Sequence, residues 1–243
     1  MVLGALKTHT VCSNVTQPCA SLHQELVNRE KKAIMATKKD VKTKMCRDVA
    51  KHLCTVGAAL PTFGQLAEGG AASRQLLRYH CEEPTDMLLG VCDCIADAYR
   101  MALVNGVEGL EGQKRLIFIL DFYFDLVEEH PKPRDDLAYD AMMAYAARAP
   151  RVRAALLEQY SLLGQVLALE IKMAHPQLTL EHCAEISFLF TCLMYGHWKM
   201  VASLGLSEAH KHITRRAVDR IIMLYAEEGS RPRDWPRPWE RQE

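Results

Sequence analysis

The sequence has no apolar run long enough to cross a bilayer. Its longest uncharged apolar stretch, Ile186 to Trp198, falls well short of the roughly 20 residues that a spanning helix needs. Glu185 and Lys199 close it at both ends, so it reads as a buried helix. The opening MVLGALKTHTVCSNVTQPCASL has no basic n-region and no sustained apolar segment, so it does not read as a signal peptide, and a cytoplasmic protein is expected. No Cys-x-x-Cys pair occurs among the nine cysteines. Seven of them (Cys46, Cys54, Cys81, Cys92, Cys94, Cys183, Cys192) lie in apolar-periodic segments, where cysteine acts as a small hydrophobe in a reducing compartment. Neither structural zinc nor any other cofactor is expected. Glu-x-x-His is absent, which removes the paired ligand set of carboxylate-bridged di-iron bundles. Glu128, Glu129, His130, Asp135 and Asp136 do cluster, but around Pro131 and Pro133, in a segment that reads as a solvated loop.

Net charge is also lacking, with 30 basic residues against 30 acidic ones. The average hides an asymmetry. Residues 31–80 hold ten Lys/Arg against three acids, a net +7, whereas residues 81–243 hold 18 against 25, a net −7. A basic segment on an acidic body suggests a polyanion-binding head on a carrier that does not itself bind the polyanion.

No hairpin signal and no internal repeat appears, and helical periodicity dominates. A first helix is expected over Val41–Val56, with Met45, Val49, Leu53 and Val56 on one stripe. A short helix, Thr62–Glu68, follows Pro61; the turn Gly69-Gly70-Ala71-Ala72 leads to a helix N-capped by Ser73 and ending near His80. Pro84 starts a long helix to Gly106. Five more are expected: Lys114–Val127, Arg134–Arg148, Pro150–Ala174, one opened by Thr179 or Glu181 and running to Ser203, and one N-capped by Ser207 and running to Glu228. The tail RPRDWPRPWERQE is too rich in Pro and Arg to be helical.

Two short helices joined by a small-residue turn inside a basic segment meet the requirements of a helix-turn-helix. Leu66 and Ala67 can pack against Leu76 and Leu77, leaving Arg74, Gln75 and Arg78 for DNA; Arg and Gln have the donor geometry that fits guanine and adenine edges. The run PTFGQLAEGGAASRQLLRYHCEEPTDML resembles the DNA-binding signature of the tetracycline-repressor (TetR) family. Thr62, Leu66, Ala67, Glu68, Ser73, Leu77, Tyr79 and His80 fall at matching positions, and the resemblance covers about Lys42–Gly106. It implies phosphate contacts from Thr62, Tyr79 and His80 and base reading by Arg74 and Gln75; Lys42, Lys44, Ser73 and Arg78 complete the expected DNA-binding set. The sequence departs from the pattern at Ala71 and Ala72 in the turn, at Cys81 in place of a terminal Phe, and at Arg78 in place of an aromatic.

The expected architecture is therefore all-α. A start expected at Met35 makes residues 1–34 a disordered extension or an upstream-start artefact; residues 35–84 are expected to form a helix-turn-helix domain, 85–229 a helical regulatory and dimerisation domain, and 230–243 a Pro/Arg-rich tail. The resemblance implies pairing of the last two helices with those of a second copy, through Phe190, Leu193, Met194, His197, Val201, Ile213, Ala217, Ile221 and Leu224. An apolar ligand pocket is expected among Phe118, Phe122, Met142, Tyr145, Tyr160, Gln165, Phe188 and Cys192. The expected function is that of a homodimeric repressor that binds double-stranded operator DNA and is released by an unidentified small effector. Two alternatives are a regulator that senses redox state through Cys81, Cys92 or Cys94, and a helical-bundle enzyme.

Overall fold

The computed structural model describes residues 40–56, 59–68, 73–228 and 238–239. Expectations for residues 1–34, for the turn 69–72 and for most of the tail lie outside the described residues. The chain divides after residue 42, and the described residues from 43 onward form one compact unit. Every regular element among the described residues is a helix: α1 over 40–56, α2 Phe63–Glu68, α3 Arg74–His80, α4 Pro84–Gly106, α5 Gly112–Tyr123, α6 Asp136–Ala146, α7 Pro150–Ala174, α8 Leu180–Ala202 and α9 Lys211–Glu228. A 3₁₀ turn, Glu208–His210, precedes α9.

Local chemistry sets most of the boundaries. At α2, Thr62 N–H donates to Gln65 Oε1 (2.9 Å) and Gln65 N–H donates to Thr62 Oγ1 (3.2 Å), a reciprocal cap on two otherwise orphaned donors. Ser73 accepts from Leu76 N–H at α3, and Thr179 from His182 N–H at α8. At α4, Pro84 fills the first turn while Asp86 accepts from the Glu82 and Glu83 N–H groups.

Two expectations are corrected. The fifth helix stops at Tyr123, not near Val127, because Asp125 takes a left-handed φ of 54°. Its carboxylate holds that turn, accepting from Lys132 N–H (2.9 Å) and Arg134 Nη2 (2.6 Å). The acidic segment that follows is solvated only in part: Glu128, Glu129 and Pro131 are exposed, whereas Lys132 and Asp135 are only 4% and 8% exposed. Lys132 Nζ donates to Asp136 and to Pro133 O and lies 4.4 Å over the Trp198 ring.

The apolar faces assemble two clusters. The first joins Met45, Val49 and Leu53 of α1 and Leu77 of α3 to Met87, Leu88 and Val91 of α4, Met142 of α6 and Leu156 of α7. Among the described residues, the helix-turn-helix thus shares its core with the helices beyond residue 84. The second cluster joins α5, α7, α8 and α9 around Phe122, Phe124, Leu167 and Phe190.

Candidate functional site

The basic head presents one helix to solvent. On α3, Arg74, Gln75, Arg78 and Tyr79 are exposed while Leu77 is fully buried, so the helix is anchored by one residue and open along its outer side. Lys42, Lys44 and Thr62 are exposed as well. The Arg74 guanidinium lies across Gly64 of α2, where a Cβ would stand 2.7 Å from Nη2, so a side chain at 64 would turn the guanidinium aside. Ser73 spends its side chain on capping. His80 is half-buried against Tyr79, with Nε2 shielded and without a hydrogen-bond partner.

A cavity of about 800 Å³ lies among α4, α5, α6, α7 and α8. From α4 come Asp93, Asp97, Tyr99 and Leu103, with Val107 just past its end; from α6, Asp136, Tyr139 and Asp140. α7 supplies Glu158, Tyr160, Leu163, Val166 and Leu167, and α8 supplies Met194, Tyr195 and Trp198. The aromatic wall is continuous: Tyr99 stacks on Tyr123 (5.8 Å between centroids) and meets Tyr139 edge-on, and Tyr139 meets Tyr160 at 6.1 Å. Tyr99 O–H donates to Asp135 Oδ1 (3.0 Å) and Tyr195 O–H to Asp140. Burial pushes the Tyr99, Tyr139 and Tyr160 phenols up, so they remain neutral hydroxyls. Burial also raises Asp135 to about 6, outweighing the Lys132 ammonium and the Tyr99 hydroxyl.

Of the expected ligand residues, Tyr160 alone lines this cavity. Phe122 and Met142 are completely buried in the two cores, and Phe118 stacks on Phe122. Tyr145 lies under the Arg148 guanidinium. Gln165, Phe188 and Cys192 face outward from α7 and α8. The aromatics of α4 and α6 escaped sequence reading because a tyrosine on a core stripe and a tyrosine on a cavity wall have the same helical spacing.

The expected pairing face divides likewise. Phe190, Met194 and His197 are buried within the protomer, with His197 Nδ1 bridged to Thr214 Oγ1 of α9 (3.2 Å), and Leu193, Val201, Ala217 and Ile221 are half-buried. Ile213 and Leu224 are exposed on α9. The exposed stripe of α8 is instead Phe188, Leu189, Cys192 and Met200. Trp239 of the tail seats at its edge, its Nε1–H donating to Ser187 Oγ (2.9 Å) and its ring edge-on to Phe188. A Cβ at Gly164 would fall 2.0 Å from that indole.

Two short helices, the second open to solvent, set on a hollow helical body, make a helix-turn-helix fold with a helical second part. No family model and no curated protein matches the chain. Solved structures do, two of them covering more than three quarters of the chain. One, described as a TetR-family transcriptional regulator from Rhodococcus sp., aligns with a TM-score of 0.63 at 18% identity, covering 76% of this chain and 99% of that one. The other, described as a transcriptional regulator from Saccharomonospora viridis in complex with choline, aligns at 0.59 and 16% identity, covering 78% of this chain and 96% of that one. The chain therefore has the TetR-type fold.

Proposed function

We propose that this protein is a homodimeric, sequence-specific transcriptional repressor that leaves its operator when a small molecule fills the cavity. The observation that carries this reading is the dual role of α4. Its first half supplies Met87, Leu88 and Val91 to the core beneath the recognition helix, and its second half supplies Tyr99, Leu103 and Val104 to the cavity wall. Asp86 at its start is also paired with Arg151 of α7 (2.7 Å), another wall helix. A ligand that prefers one setting of α4 changes DNA affinity by its differential affinity for the two states, typically about 1–3 kcal/mol.

Two half-sites require two copies. The exposed apolar residues of α8 and α9, with Ile213 and Leu224, supply a surface for a second copy. The protein is expected to run at twice 27.4 kDa, and Cys192→Arg, which puts a charge in the middle of that surface, is expected to yield a monomer that no longer binds a palindromic operator tightly. A dimer unaffected by this change would move the interface elsewhere.

Operator selection followed by titration tests the DNA reading. Arg74→Ala is expected to cost about 1–3 kcal/mol on the preferred operator and to relax choice at one base pair. Lys42→Ala is expected to weaken binding evenly on all sequences and to lower the salt slope by about one. An even loss from Arg74→Ala overturns the assignment of base reading to that residue.

The redox alternative has less support. Burial raises the Cys54, Cys92, Cys94, Cys183 and Cys192 thiols, Cys92 to about 12, whereas a thiol sensor needs an accessible thiolate.

A further inference from the structure

The cavity has two chemically different ends. α4 and α7 run side by side in the same direction: Asp86 meets Arg151 at their starts, and the second cluster gathers Leu103 and Val107 with Leu163 and Leu167 farther along. The end nearer the DNA-binding head therefore holds Asp93 and Asp97 of α4 with Glu158 of α7, and Asp136 and Asp140 of α6 line the same cavity. The far end holds Leu103, Val104, Ile119, Leu163 and Val166 and is closed by the Arg115–Glu170 pair at 2.8 Å.

Charge at the near end is unbalanced. Its three cations are each bound to a carboxylate: Arg100 to Asp97 (2.7 Å), Lys132 to Asp136 (2.9 Å) and Lys199 to Asp140 (2.8 Å). Asp93 and Glu158 have no ion pair among the described residues, which leaves an excess of two negative charges in the wall. Asp135 adds a buried carboxyl behind Tyr99. Between these carboxyls stand the rings of Tyr99, Tyr139 and Tyr160, and Gln159 Oε1 is buried there without a hydrogen-bond partner. Aromatic faces attract a cation within about 6 Å through their quadrupole, and most strongly when the cation is poorly hydrated. The Lys132 ammonium over Trp198 shows that chemistry already in use in this wall. An anion entering the same end would have to break one of the three ion pairs.

From this geometry we infer that the effector is an amphipathic organic cation, its ammonium held among Tyr99, Tyr139, Tyr160 and the free carboxylates Asp93 and Glu158, its hydrocarbon part lying toward Leu163 and Val166. The inference rests on the proposed reading of the cavity as the effector site. Three probes of equal chain length separate the classes: decyltrimethylammonium, decanoate and decanol, each below its aggregation concentration, titrated calorimetrically into the full chain. Decyltrimethylammonium is expected to bind at least tenfold more tightly than decanol, with decanoate weakest. Asp93→Asn and Glu158→Gln, both at exposed positions that leave folding intact, are each expected to weaken the ammonium about three- to tenfold and to leave decanol unchanged. Equal binding of all three probes, or insensitivity to both substitutions, overturns the cation assignment. If none of the three probes binds, the reading of the cavity as an effector site fails, an outcome distinct from the equal binding that overturns the cation assignment alone. Operator release is followed separately: a cation that binds as described without weakening DNA affinity keeps the ligand class and refutes the release mechanism.

Discussion

Asp135→Asn is expected to stabilise the protein by about 3 kcal/mol at pH 7 and to confer no such advantage at pH 4. An aspartate in the unfolded chain titrates near 3.9, whereas burial places Asp135 at about 6 in the folded protein. Folding therefore takes up a proton between these values. The stability associated with the neutral carboxyl is present below about pH 4 and lost as pH rises through 6. A difference of about two units, at 1.36 kcal/mol each, gives the magnitude. Asparagine preserves an acceptor for the Tyr99 hydroxyl, 3.0 Å away, and carries no charge. Lys132 keeps its partner Asp136. Urea unfolding of both proteins at several pH values between 4 and 7.5 checks the expectation; a gain independent of pH would show that ionisation of Asp135 is not its source.

Leu77→Ala is expected to cost about 2–5 kcal/mol and to lower the midpoint of the whole unfolding transition. Leu77 is completely buried and is the one fully enclosed residue of the recognition helix. It belongs to a cluster that continues without a break into α4, α6 and α7. Loss of its side chain therefore loosens the body as well as the head, and operator binding should fall with it. Calorimetry is the check. A small early transition with the main transition unmoved would mean that the head unfolds independently, against the shared core.

How far the sequence could be read depended on whether the signal was local. Ser73 and Thr179 cap the helices they were expected to cap, and Pro84 and Pro150 stand at the starts expected of them, because these interactions reach only three or four residues along the chain. The end of α5 was missed because the aromatic run continues to Phe124; the stop comes from Asp125, whose turn is held by Lys132 and Arg134, seven and nine residues on. The segment around Pro131 and Pro133 looked solvated because composition cannot show that Trp198, some 66 positions away, covers Lys132.

The helical plan, the basic head with its exposed Arg74, Gln75 and Arg78, and the length of α4 follow from the sequence alone, since periodicity, caps and charge are properties of neighbouring residues. Which aromatics enclose a cavity, which stripe of α8 faces outward, and which carboxylates are left without a partner were decided by tertiary packing. Phe190 and Phe188 illustrate the reason. Both are apolar residues of one helix two positions apart, and only the arrival of α5 and α9 on one side buries the first and leaves the second exposed.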